Sequence, residues 1–229
     1  MTITPTSLSR AAAVAAVLAG LVFIGVQINH PHLDATSVTT TEWAVRNSLK
    51  VLMAVLALAG ITGMYLRQVR QIGVLGLVGY VLFALGYLTI MCIAFVAAYV
   101  LPSIAAADPS YVNNVLAVAE GGASTGDIGL IRTALLVEGL GYLAGGLVFG
   151  IALYRARVLA RWAAALLAVA SVLSATLPLL PDSVYRLLAF PNGIALIGLG
   201  YSLWRVSRAG TTPAAASVPN PLVASAGVE

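Results

Sequence analysis

Charge is scarce in this sequence. Only 9% of its 229 residues are Asp, Glu, Lys or Arg, while 60% are hydrophobic and the mean hydropathy is +0.98. A soluble domain carries about 25% charged residues, so a water-soluble fold is excluded and a polytopic membrane protein is expected. Cysteine is scarcer still: Cys92 stands alone inside an apolar run. One thiol per chain builds no disulfide, no Cys-based zinc site and no iron–sulfur cluster. Both histidines, His30 and His32, share a polar loop, so no pair faces across the bilayer to ligate a b-type haem. With Asp34 they make only a weak surface-metal pattern. No His-Glu-x-x-His, P-loop or Gly-x-Ser-x-Gly motif occurs. No metal and no cofactor are expected. The net charge of +4 and pI near 9.5 would suggest nucleic acid in a soluble protein. Here the arginines sit at the ends of apolar runs, where they read as topology signals rather than as a nucleic-acid patch.

What is present is a series of apolar runs, each near the ~20 residues that cross a hydrocarbon core of about 30 Å. The first covers residues 11–28, behind a short leader, 1–10. It resembles a signal peptide but lacks a small-x-small cleavage site, so it reads as an uncleaved anchor. The Thr39-x-x-Glu42 spacing predicts a capping box that opens the second helix, which runs to Leu66, and Trp43 fits an interfacial aromatic belt. The third span, 72–101, carries Gly76, Gly79 and Gly86 for close packing and is ended by Pro102. In the long loop that follows, Asp108-Pro109 predicts a helix start and Gly121-Gly122 a stop. Val112, Val115, Leu116 and Ala119 fall on one stripe, so a short amphipathic helix over 109–120 should lie on the membrane surface. The fourth span is 130–154 and the fifth 163–180. The sixth is 185–204, with Pro191-Asn192-Gly193 breaking its first half. Residues 209–229, rich in Ala, Pro and Ser, are predicted to be a disordered tail.

The fold class expected is therefore an all-α membrane protein, a bundle of six transmembrane helices over 11–208. Arg10, Arg67, Arg70, Arg155, Arg157, Arg161, Arg205 and Arg208 fall on one side of it. Asp34, Glu42, Asp108, Glu120, Asp127 and Asp182 fall on the other. The positive-inside rule then places both termini in the cytoplasm and the odd-numbered loops outside. Tyr65-Leu66-Arg67, Leu153-Tyr154-Arg155 and Leu203-Trp204-Arg205 close the even-numbered spans alike. An aromatic belt with a basic anchor explains that better than three related hairpins.

Glu138 is the candidate functional residue. Counted from Ile128 it lies about 15 Å along the fourth span, near the bilayer midplane. An ionised carboxylate there costs at least a few kcal/mol unless it is paired, hydrated or protonated. Gly141 and Gly145 follow on its face and invite another helix close. Arg46, Asn47 and Lys50 in the second helix and Asn192 in the sixth enter from the same outer side, with Gln27 near the end of the first. Together they suggest an outward-facing polar vestibule that binds a small anionic solute or a lipid headgroup, with Glu138 as counter-ion or proton site. The bland alternative also stands. Glu42, Arg46 and Lys50 are spaced as surface pairs, and Glu138 can merely lock two helices together.

The loop Leu153-Tyr154-Arg155-Ala156-Arg157-Val158-Leu159-Ala160-Arg161-Trp162 resembles a family of six-span bacterial membrane proteins of unknown function. Their corresponding loop typically reads Leu-Tyr-Arg-Ser-Arg, then Pro-Arg-Trp; here Ala160 stands where the proline would be. The resemblance implies a bacterial inner-membrane protein and a six-helix bundle, and no activity. Two further functions remain open beside ligand binding. One is a membrane-embedded lipid- or isoprenoid-modifying enzyme, with Glu138 as acid and only Asp127 or Asp182 as partial partners. The other is an accessory subunit, or a homo-oligomer, that uses the glycine faces of the third and fourth spans to bind another membrane protein.

Overall fold

The computed structural model describes residues 4–28, 33–174 and 189–209, and its regular structure there is entirely helical. Eight helices are numbered here in chain order: α1 Pro5–Gly25, α2 Thr41–Arg67, α3 Val69–Tyr99, α4 Leu101–Ala107, α5 Pro109–Ala119, α6 Ile131–Ala156, α7 Arg161–Leu173 and α8 Phe190–Ala209. Four of them, α1, α2, α3 and α6, are long and apolar enough to cross a membrane. The second half of the expected fifth span, the start of the sixth, the His30-Pro31-His32 loop and the tail lie outside the described residues.

Local chemistry sets the helix ends. α1 starts six residues before the expected span at Ala11, because Thr4 and Ser7 cap each other reciprocally and Pro5 takes the first turn. α2 is capped by Thr40, whose hydroxyl accepts from the Trp43 amide at 3.2 Å. The expected Thr39–Glu42 box does not form. Thr39 lies in a 3-10 turn with its hydroxyl on the Thr36 carbonyl, and Glu42 turns to Arg46 instead. Pro102 does not end the helical path either. α3 stops at Tyr99, and Pro102 opens α4, where its missing N–H costs nothing. The break inside α3 falls near its start, at Gly73, with φ 55° and ψ −155°, a conformation that glycine tolerates without strain.

The helix after Asp108 forms as expected, with the Asp108 carboxylate accepting from the Tyr111 amide and the Ser110 hydroxyl. Its apolar stripe does not meet lipid. Val112, Val115 and Leu116 pack with Val38, Trp43, Ala97, Leu101, Ala105 and Ile128 into a small second core. Trp43 is buried in that core rather than in an interfacial belt, and its indole N–H donates to the Ala97 carbonyl at 2.7 Å. An apolar stripe needs only something apolar to cover it, and here the ends of α2 and α3 do so. α4 and α5 therefore form a cap on the bundle.

The six longer helices close a ring. α1 packs on α2, α2 on α3, α3 on α6, α6 on α7, α7 on α8, and α8 returns to α1. Glycines set the tightest contacts. A methyl group on Gly86 would lie 2.6 Å from the Tyr142 nitrogen, and one on Gly145 would overlap the Phe83 backbone. α1 meets α8 the same way: a methyl on Gly193 would lie 2.8 Å from the Gly20 carbonyl oxygen. Every ring helix thus runs antiparallel to its neighbours. Eight of the eleven arginines fall toward one end (the arginine end) and the cap lies at the other (the cap end), together with Arg46 and Arg132. At the arginine end Arg161 lies over the Tyr154 ring at 4.2 Å, and the Ala160 amide donates to Ser202 at 2.9 Å.

Gly86→Ala and Gly145→Ala must push α3 and α6 apart and should each lower the detergent-solubilised unfolding midpoint, at a cost of about 1–3 kcal/mol. Gly139→Ala, where a methyl meets nothing within 4 Å, should leave the midpoint unchanged or raise it. At the cap, the Ser110 hydroxyl and then the Tyr111 amide hold the Asp108 carboxyl below its ordinary range. The folded value is the lower one. The capping contribution is therefore complete above the unfolded value and is lost as pH falls through the folded one. Exchange protection of the Tyr111 amide should fall with acid in the native protein and lose that dependence in Asp108→Ala.

Candidate functional site

Burial along each ring helix marks the face that looks inward. On α2 that stripe is Trp43, Asn47, Ala54, Ala57, Ile61 and Met64, and Lys50 falls on it by spacing, three residues after Asn47 and four before Ala54. On α6 it is Tyr142, Gly145, Phe149 and Leu153, and Glu138 extends it by one turn. On α8 it opens with Asn192 and continues through Leu196, Leu199 and Leu203. On α3 it includes Phe83 and Tyr87. Each stripe is apolar along its middle and turns polar toward the cap; at the arginine end the α2 and α8 stripes close on the buried polar residues Gln68 and Ser207. The ring therefore holds a polar layer above an apolar floor.

Helix register fixes the height of the charged pair. Gly79 meets Phe149, Phe83 meets Gly145 and Gly86 meets Tyr142, in step along antiparallel α3 and α6. One more turn sets Glu138 level with Ile90. On the other flank of α3, Trp43 meets Ala97 and the Thr62 hydroxyl meets the Tyr80 hydroxyl at 3.0 Å, which sets Lys50 level with Met91. Lys50 and Glu138 thus flank α3 at one height, and the lysine charge acts on the carboxylate. Glu138 Oε2 is sealed from solvent and has no hydrogen-bond partner among the described residues. The carboxylate is also shallower than the sequence suggests. α6 begins at Ile131, after Gly129 takes φ 63° and the Asp127 carboxylate accepts from the Gly129 amide. Glu138 is then about 10 Å from the start of a helix about 39 Å long.

Two tyrosines belong to the same layer. Tyr87 and Tyr142 are buried, with ring centroids 5.5 Å apart, edge to face, and both rest on Phe83, at 4.8 and 5.3 Å. Their hydroxyls lie side by side, yet neither meets hydrogen-bond geometry with any described group. From sequence, the Gly-Tyr pairs, such as Gly79-Tyr80 and Gly141-Tyr142, read as packing and aromatic filling. The signal that marks them is Tyr142 one turn after Glu138, on the same face.

The remaining candidates are spoken for elsewhere. Arg46 clamps the end of α1: its guanidinium donates to the carbonyls of Val26 at 3.1 Å and Ile28 at 2.8 Å and pairs with Glu42 at 2.7 Å. A shallow groove of about 380 Å³ at that junction is lined by Gly25, Val26, Thr41, Glu42, Val45, Arg46 and Leu49, and includes neither Lys50 nor Glu138. Gln27 lies in the turn beyond α1. Asn47 is buried and donates to the Trp43 carbonyl of its own helix at 3.0 Å. Asn192 is buried on the α7 side and donates to Ser174 Oγ at 3.2 Å and to the Ala170 carbonyl at 3.4 Å. Its Oδ1 has no partner among the described residues. Pro191 sits in the first described turn of α8, and the part of the sixth span before it lies outside the described residues. The structure therefore brings together Lys50, Glu138, Tyr87 and Tyr142. It ties Arg46 to α1 and Asn192 to α7.

Chemically the layer offers one carboxylate, one ammonium and two phenols in a poorly solvated setting. Among the described residues no three His, Cys, Asp or Glu side chains converge as metal ligands. Asp127 is engaged at the rim by Gly129, and Asp182 lies outside the described residues. No protein family model, curated protein or solved structure matches the chain, so the six-span likeness rests on the 153–162 loop alone.

A buried charge left without its counterpart costs more than one exchanged together with it. Lys50→Met should destabilise the protein by about 1–3 kcal/mol, and Lys50→Met/Glu138→Gln should recover most of that loss in a thermal unfolding series. If the two effects simply add, Lys50 and Glu138 are not coupled.

Proposed function

We propose that this chain is a six-span protein of a bacterial cytoplasmic membrane, with both termini cytoplasmic, that binds or moves a small solute or a lipid headgroup in its polar layer. The observation that carries the reading is the buried, unpartnered Glu138 Oε2 at the height of Lys50, with two unpartnered tyrosine hydroxyls a turn away. Buried polar atoms in native proteins find partners. Three such atoms in one stratum point to a partner that the described residues do not supply. The ring of six helices supports the span count, and the arginines collected at one end support the orientation.

The accessory-subunit reading loses its main support. Gly79, Gly86, Gly141 and Gly145 are spent on the contact between α3 and α6, and Gly146 and Gly150 on α7. The enzyme reading needs a second acid or base within reach of Glu138, and the described layer offers phenols in place of a carboxylate.

Two measurements test the proposal. Reporter fusions after Arg161 and Arg208 should be active in their cytoplasmic mode, and a fusion after Glu120 in its exported mode; the reverse pattern overturns the orientation. Mass spectrometry of the purified protein should find a small polar molecule or lipid retained by the native chain and lost from Glu138→Gln. A native chain that retains neither overturns the binding reading.

A further inference from the structure

A second groove, of about 220 Å³, opens at the arginine end between α3 and α6. Its lining includes Gln71, Gly73, Val74 and Leu75 on one side and Ala152 and Arg155 on the other. Small residues leave it open. Gly73 breaks α3 with a positive φ, and a methyl built on it would meet nothing within 4 Å. Ala152 puts only a methyl group on the facing wall. The register that pairs Gly79 with Phe149 and Gly86 with Tyr142 also sets Gly73 level with Arg155.

Nothing among the described residues neutralises that arginine. Arg155 is exposed and makes no hydrogen bond or ion pair there. Arg67 and Arg70, on the turn from α2 into α3, and Arg157, just past α6, add positive charge at the same end. Every described Asp and Glu lies in the cap half of the molecule. The excess charge calls for an anion, and a guanidinium takes a phosphate through two parallel N–H···O bonds. A headgroup that also carried an ammonium would bring that cation among arginines with no carboxylate to receive it.

The surroundings favour a lipid over a free anion. Arg155 lies about 36 Å along α6 from Ile131, just outside a ~30 Å hydrocarbon core centred on that helix, and so at headgroup height. From the groove toward the midplane, Val74, Leu77, Val78 and Val81 form an exposed apolar strip on one face of α3. The segments outside the described residues at this end, 1–3 and 210–229, adjoin α1 and α8, which stand across the ring from α6 and α3. Residues 175–188 follow α7 at the cap end.

We infer that the groove between Gly73 and Arg155 binds an anionic phospholipid. Its phosphate lies on the Arg155 guanidinium, its headgroup hydroxyls reach the Gln71 amide, and its acyl chains follow Val74, Leu77, Val78 and Val81. The site is separate from the polar layer and rests only on the chain crossing a bilayer.

Retention from defined bilayers tests it. The full chain is placed in nanodiscs of equal parts phosphatidylglycerol and phosphatidylcholine with the same acyl chains, then released and weighed by native mass spectrometry. Phosphatidylglycerol should be enriched among the lipids retained. Arg155→Gln should cut that enrichment about fivefold, the scale of one basic residue at an anionic membrane surface. Val74→Glu sets a carboxylate at an exposed position of the same groove and should cut it at least as far. Arg205→Gln removes the same charge from α8, across the ring, and should leave the enrichment in place. All three positions are exposed, so the unfolding midpoint should hold in each variant. Equal loss in Arg205→Gln means diffuse attraction to the arginine end and overturns the groove assignment. Loss in Glu138→Gln places the lipid in the polar layer and overturns it too. Equal retention of the two lipids overturns the inference, including the case in which residues 210–229 cross the ring and fill the groove. Retention of inorganic phosphate from a phosphate buffer, with no lipid, overturns the lipid assignment. None of these outcomes decides whether the polar layer holds its own ligand.

Discussion

Backbone touches backbone where α3 meets α6, and the ring is built outward from that contact. Gly79, Gly86, Gly141 and Gly145 remove the side chains that would hold the two helices apart. For helices that cross a bilayer there is no hydrophobic gain from association, because lipid tails are as apolar as leucine. Close van der Waals packing must supply the attraction, and small residues permit it. The contact also fixes register. Because α3 and α6 can approach closely only with these glycines aligned, Glu138, Tyr87 and Tyr142 are brought to one place, and Lys50 follows through the α2–α3 pairing.

The polar layer is a consequence of that alignment. Each inward stripe carries polar residues in its turns nearest the cap, and the ring converts four separate one-dimensional patterns into one stratum. Phe83, with the Tyr87 and Tyr142 rings tilted against it, closes the layer from below. The charged side chains that stay outside it have other work. Arg46 satisfies carbonyls at the end of α1, a favourable place for a cation because the helix dipole is negative there. Asn192 ties α8 to α7. The cap serves a related end: it buries the apolar stripe of α5 over the mouths of α2 and α3 and keeps Trp43 inside protein.

Much of the helix content was legible in the residues. The end of α2 and the start of α5 follow from patterns of two or three residues, such as Asp108-Pro109 and the Leu66-Arg67 exit, because capping and charge placement act over a single turn. Errors of a residue or two arose where neighbours compete for the same donor, as Thr39 and Thr40 do at the start of α2. Larger errors had a different origin. The stripe on α5 is apolar whether lipid or protein covers it, so its partner cannot be read from the stripe. Pro102 opens a helix as readily as it closes one. Tyr87 and Tyr142 looked like filling because nothing local says which tyrosine hydroxyl will be denied water.

Composition and short-range spacing by themselves determined that the chain is apolar and helical, where most helices begin and end, and that most of the arginines collect at one end. Those properties depend on contacts within a turn or along one helix. The tertiary structure alone decided which helices touch and at what register. It therefore decided that Lys50 and Glu138 stand level while Arg46 and Asn192 are engaged elsewhere. Such pairings depend on the fit of two glycine-lined surfaces distant in the chain, and no pattern within either surface names its match.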